Sequence, residues 1–307
     1  MLFDRHIVID WSAANAPKLG PDSIWIAEHT GARVKLDNHR TRASAMTALR
    51  SVLTQGIAKK KSVLVGVDFS LGFPAGFSNF LDSSKSLEPW LCTWEFLRRE
   101  ITDDERNRNN RFAVASAMNA SAITQAKKPG PFWGVPPKQA QPSLGATKPD
   151  FPYAGLAEFR STETALAKRP FSVWQLLGVG AVGSQSLTGI AQLATLRLDP
   201  VLAPHFCVWP FETGFTSSSG LIVVAEVWPT LVPDDLLARV DHPVKDARQV
   251  TALAQWLSVL DRSGELNSWF EVAGLTDEVR NAAVEEEGWI LGAGTAGAPA
   301  AKKIRVR

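Results

Sequence analysis

Cysteine is nearly absent from this chain: Cys92 and Cys207 are two residues in 307. Neither lies in a Cys-x-x-Cys or metal-ligand spacing. A disulfide framework is therefore excluded, and a reducing, cytoplasmic compartment is the expectation. Charge of one sign is also lacking. A net charge of +2 provides no strong field to draw in nucleic acid or an acidic partner. No stretch approaches the ~20 consecutive apolar residues of a membrane helix. The first apolar run stops at Asp10, unlike the core of a signal peptide. Tyrosine is reduced to Tyr153, against 11 tryptophans. Such a bias means either a tryptophan-rich core or an aromatic-lined groove, and composition alone does not choose.

What is present is ordinary bulk: 45% hydrophobic and 21% charged residues, enough for a substantial core. The chain is organised around residues 6–15, HIVIDWSAAN. Ile7, Val8 and Ile9 form a continuous apolar run, as in a strand buried on both faces, and the run ends at the carboxylate Asp10. In open α/β sheets, ligands bind beyond the carboxyl ends of the strands. The pattern returns in residues 62–76, where an apolar run reaches Asp68, followed by Phe69 and Ser70. Trp11 and Ser12 follow Asp10 in the same manner, so two strands end in Asp-aromatic-Ser.

Residues 23–28 and 32–36 read as two further strands around a Thr30-Gly31 turn, giving a three-stranded meander. Residues 42–55 carry Ala45, Leu49, Val52 and Leu53 at helical spacing, with Gly56 as the expected stop. The order to this point is β-β-β-α-β. Residues 83–122 are mostly helical in pattern, and the charged run 103–111 reads as an exposed turn. Residues 127–155 are rich in proline and glycine and read either as a lid or substrate loop, with Phe132 and Trp133 at its tip, or as a plain surface excursion. Residues 158–168 suggest a short helix and 171–177 a strand. GVGAVG at 178–183 matches a dinucleotide-binding glycine pattern, but no βαβ unit continues from it. Close helix packing, or a phosphate at the N-terminus of a helix over 184–198, suits it better.

Residues 206–211 and 221–227 read as strands, the second carrying Glu226 near its end. Pro243 and Asp246 open an amphipathic helix with Val250, Leu253, Ala254, Leu257 and Leu260 on its core face. A last helical pattern spans 276–287. These elements predict one α/β domain over residues 1–295, with a large helical and loop insertion at about 75–205, and a disordered basic tail over 296–307.

Four acids stand out: Asp10, Asp68 and Glu226 at strand ends, and Asp246 in the first turn of a helix. Parallel neighbouring strands lie about 4.8 Å apart. Carboxylates in such a row repel one another unless a positive charge lies between them. A hard divalent cation meets that need, and two of them would clamp a phosphoryl transfer. Each acid also has an ordinary structural explanation as a turn cap or a helix-dipole partner. A charge inside an apolar strand, as at Glu226, demands a partner in any case.

The set resembles the ribonuclease H-like fold and, more closely, the uncharacterised family of predicted RNase H-like nucleases. The matching motifs are Ile9-Asp10, Val67-Asp68-Phe69-Ser70, Glu226-Val227-Trp228-Pro229 and Lys245-Asp246-Ala247. The resemblance covers roughly residues 1–260. It implies a mixed β-sheet in β-β-β-α-β-α-β-α order with helices on both faces. It also implies that Asp10, Asp68, Glu226 and Asp246 hold Mg²⁺ or Mn²⁺ for phosphodiester hydrolysis. Ribonucleases H carry an acid on the first helix; residues 42–55 contain none, and Glu226 would substitute. Lys245 would meet a phosphate oxygen, Ser12 and Ser70 would line the site, and Arg160 and Trp133 would hold the substrate. That substrate would be nucleic acid or a small phosphorylated molecule. Two other readings are open. One is an actin-like or sugar-kinase-like ATP-binding protein, though the two Asp motifs are too close to hold a complete copy of that fold between them. The other is a non-catalytic binding protein that keeps the fold.

Overall fold

Apolar, β-branched runs build the sheet. The computed structural model describes all residues except 32, 82–85, 123–127, 179, 218–219 and 296–307. The expected basic tail thus lies outside the described residues. The strands are β1 (Arg5–Asp10), β2 (Ile24–Thr30), β3 (Arg33–His39), β4 (Val63–Val67), β5 (Phe206–Val208) and β6 (Ile222–Glu226). They form a six-stranded mixed sheet in the order β3-β2-β1-β4-β6-β5. β1, β2 and β3 make the expected antiparallel meander. β4 runs parallel to β1, β6 parallel to β4, and β5 parallel to β6.

The helices are α1 (Arg42–Ala58), α2 (Pro89–Glu100), α3 (Arg111–Ala122), α4 (Ser161–Thr164), α5 (Gly183–Arg197), α6 (Asp234–Leu237), α7 (Lys245–Ser263), α8 (Leu266–Phe270) and α9 (Asp277–Ala282). α1 begins at a capping box, in which Thr41 accepts from the Ser44 amide and the Ser44 side chain accepts from Thr41. It runs past Gly56, which is not the stop. Gly56 lies against β4 instead, where a Cβ would approach Val63 Cγ2 to 3.1 Å.

Strand alternation divides the core between the two faces of the sheet. Ile7, Ile9, Val63, Val65, Val67, Ile222 and Val224 pack with α1, α2, α3 and α5. Val8, Leu64, Val223 and Ala225 pack with α7 and α8. Each fully buried aliphatic side chain contributes ~1.5–3 kcal/mol of hydrophobic stabilisation. The tryptophans mostly serve this core: Trp94, Trp174, Trp209, Trp269 and Trp289 are all fully buried.

Several local expectations are corrected. Phe132 and Trp133 are not a lid tip; both are buried. Phe132 closes an aromatic cluster with Phe73, Phe77 and Trp174, with centroid separations of 5.0–5.7 Å. Residues 171–177 form no strand, because their backbone is spent on turns and on pairing with Trp133. The helix expected over 158–168 shrinks to α4, and the strand expected over 206–211 ends at Val208. The charged stretch 103–111 is no plain exposed turn. Asn107 and Arg111 are buried, and Arg42, fully buried in α1, donates from Nη2 to Asp103 Oδ1 at 2.6 Å. No helix among the described residues is long and apolar enough to cross a membrane.

Candidate functional site

β1 and β4 are parallel neighbours with Ile9 opposite Val67, so Asp10 and Asp68 emerge side by side at their carboxyl ends. Ile9 and Val67 face the α1 side. By alternation both aspartates face the α7 side, toward Asp246 in the first turn of α7. Glu226 does not join them on that face. It is paired with Val67 across β4 and β6, and so it turns the opposite way.

Its carboxylate is already engaged. Arg160 donates from Nη1 to Glu226 Oε2 and from Nη2 to Glu226 Oε1, both at 2.7 Å, a bidentate pair. The amide of Leu71 also donates to Glu226 Oε2, at 3.1 Å. Arg160 further reaches Glu163 Oε1, from Nη2 at 2.6 Å and from Nε at 2.8 Å, and the Glu287 carbonyl at 2.9 Å. At 0% exposure it is a buried clamp and has no surface to offer a substrate. Two glutamates share this one guanidinium. Burial holds Glu163 above its ordinary pKa despite the pull of Arg160, and Glu163 Oε2 has no hydrogen-bond partner among the described residues.

The two aspartates differ from Glu226 in lacking a cationic clamp. The Trp11 amide donates to Asp68 Oδ1 at 2.8 Å. No hydrogen bond reaches the Asp10 carboxylate among the described residues. Burial, and then the charges of Asp68, Asp246 and Asp22, push Asp10 well above its ordinary pKa, with Lys245 opposing weakly. Burial raises Asp68 to about 7, against the Trp11 hydrogen bond. Asp246 Oδ2 accepts from the Asp22 amide at 2.9 Å, which ties the loop after β1 to the start of α7.

These groups line one cavity of about 820 Å³. Asp10, Asp68, Asp246, Glu163, Glu226, Ser12, Ser70 and Lys245 all contribute to its wall. Ser12 is turned inward, donating to the Asp22 carbonyl at 2.9 Å. Trp133 is not part of the wall; its ring meets Phe151 instead. Among the described residues, no three His, Cys, Asp or Glu side chains converge closely enough as they stand to enclose a metal ion.

Sequence reasoning missed Arg111 and Glu163, which also line the cavity. Arg111 donates to Ser184 at 2.8 Å and to Asn15, and burial beside Arg42 lowers its pKa to about 10. Its signal lay within the charged run 103–111, where nothing local marks one arginine as inward-facing. The glycine pattern at 178–183 serves packing. Gly183 opens α5 so close to the 173–175 backbone that a Cβ would lie 2.3 Å from the Val173 carbonyl oxygen. Compared with protein-family models, with curated proteins and with solved structures, the chain matches none.

Proposed function

We propose that this protein is a divalent-metal-dependent phosphodiester hydrolase built on an RNase H-like sheet. The observation that carries the reading is the Asp10–Asp68 pair: two half-buried carboxylates on adjacent parallel strand ends, each raised in pKa, with no cation clamping them among the described residues. Structural carboxylates in this chain look different, as Glu226 on Arg160 and Asp103 on Arg42 illustrate. The donor set fits Mg²⁺ or Mn²⁺, hard ions that take one or two carboxylates and fill their remaining positions with water and phosphate oxygens. A meander followed by parallel strands, with a helix on the sheet face whose acid-bearing first turn lines the same cavity as Asp10 and Asp68, supports the RNase H-like reading.

Asp10 and Asp68 would hold the ion, with Asp246 beside them. When bound, such an ion polarises a phosphoryl oxygen as a Lewis acid. Lys245, exposed on the cavity wall, meets a phosphate oxygen, and Ser70 lies beside Asp68 in the same wall. Glu226 and Arg160 act at one remove, bracing the Leu71 amide and hence the turn after Asp68. The substrate is nucleic acid or a small phosphoester.

The test is hydrolysis of a bis-aryl phosphodiester and of a single-stranded oligonucleotide, with Mg²⁺ or Mn²⁺. Wild type should be active, and Asp10→Asn and Asp68→Asn should each lose on the order of 100-fold or more, as expected when a group acting on the transition state is removed. Equal rates in all three proteins refute the proposal.

A further inference from the structure

The cavity that holds the aspartates has a second, chemically different part. Phe171 lies in its wall with 51% of its surface exposed, beside Leu177 at 47%. Most other aromatic rings of this chain are buried in the core. Phe171 is also held in place. Gly180, at φ +76°, lies so close beneath the ring that a Cβ there would be 2.2 Å from Phe171 Cε2. The ring therefore lies against bare backbone at Gly180 while half of its surface stays exposed in the cavity wall. Lys168 and Arg169 precede it in the same wall, both exposed, and the Arg169 guanidinium is 4.7 Å from the Phe159 ring centroid. Lys18 and Lys245 lie elsewhere in the cavity wall.

We infer that Phe171 is a stacking platform for the base of a nucleotide, with Lys168 and Arg169 taking its phosphate charge. An exposed aromatic face accepts any base by stacking, while flanking cations select for the phosphate. A purely acidic metal site would need neither feature, and a sugar phosphate would leave the ring uncovered. The inference rests on the phosphodiester hydrolase reading and names its substrate class. It moves to Phe171 the substrate contact expected of Trp133, whose ring is buried. It also gives Gly180, within the glycine pattern, a purpose.

The test is calorimetric titration of the full chain, in Mg²⁺, with adenosine 5′-monophosphate, ribose 5-phosphate and a short single-stranded oligonucleotide. The monophosphate has no phosphodiester bond, so binding is read apart from hydrolysis. Wild type should bind it roughly 5- to 150-fold more tightly than ribose 5-phosphate, the range that stacking of one base on an aromatic ring supplies. Phe171→Ala should erase that difference and leave ribose 5-phosphate binding unchanged, and Phe171→Trp should restore it. Gly180→Ala, which displaces the ring without removing it, should weaken the nucleotide alone. Tighter binding of the oligonucleotide than of the monophosphate, with the same Phe171 dependence, identifies the source as a nucleic acid strand; equal binding identifies a mononucleotide. Equal affinity for both monophosphates, equal loss of both in Phe171→Ala, or no binding of any nucleotide overturns the inference. Metal-dependent hydrolysis lost in Asp10→Asn but indifferent to Phe171 would sink the stacking role alone. Intact stacking in a protein without hydrolysis would sink the hydrolase reading alone.

Discussion

Replacing Asp68 with asparagine should make the protein more stable while abolishing its proposed activity. In the folded chain burial raises the Asp68 pKa to about 7, whereas an unfolded aspartate titrates near 4. Between those values the folded state binds more protons than the unfolded state, so stability falls as pH rises through this window. At about 1.4 kcal/mol per pH unit the full penalty above pH 7 is ~4 kcal/mol, an upper bound because Asp68 keeps some contact with solvent. Roughly 3 kcal/mol of it falls between pH 5 and pH 8. Asparagine has no charge to desolvate and still offers an oxygen to the Trp11 amide. Urea denaturation in EDTA should therefore show wild type losing stability from pH 5 to pH 8 and Asp68→Asn losing less, with the variant the more stable protein at pH 8. Added Mn²⁺ should raise the wild-type midpoint at pH 8 and leave that of the variant nearly unchanged. A wild-type stability that is flat across this range, or a variant less stable at pH 8, would refute the claim that Asp68 is held as a strained acid.

Arg160→Met removes the guanidinium bonded to both Glu163 and Glu226 and should cost ~3–5 kcal/mol by urea denaturation, part of it recovered when both glutamates become glutamine. Gly189→Ala sets a Cβ 2.3 Å from the Phe69 ring and should lower stability by ~1–3 kcal/mol, read as a fall in Tm. Burial pushes Asp261 up, but hydrogen bonds from His6 and from the Leu2 and Phe3 amides outweigh it and hold its carboxyl below its usual value. Its contribution is thus present above about pH 4 and lost as pH falls through the lowered value. Acid titration of Asp261→Asn should show a flatter stability profile at low pH than wild type.

The central strands β1, β4 and β6 were legible because each is a continuous apolar run that ends at or just before an acid. Ile7 to Ile9 and Val63 to Val67 need no partner to declare themselves. α7 was equally plain, since its apolar positions recur at helical spacing over 19 residues. Segments 128–155 and 171–177 depart from the expectation because several of their side chains, among them Phe132, Trp133 and Trp174, are buried by contacts far along the chain. Phe132 meets Phe73, Phe77 and Trp174, and the Trp133 amide bonds the Trp174 carbonyl. Proline and glycine in such a stretch reveal irregular backbone but not whether that backbone is buried.

Taken alone, the sequence determined that Asp10 and Asp68 end two buried strands and that Asp246 lies in the first turn of the long helix α7. Those facts follow from local hydrophobic pattern. Only the tertiary structure decided which acids share a face. Alternation makes side-chain direction depend on register, and register is a property of two strands, not one. Ile9 opposite Val67 brings Asp10 and Asp68 together, while Val67 opposite Glu226 turns Glu226 away to Arg160. Four equivalent carboxylates in the sequence thus divide in space: Asp10 and Asp68 lie together without a clamp, Asp246 faces them from α7, and Glu226 is locked by a buried guanidinium.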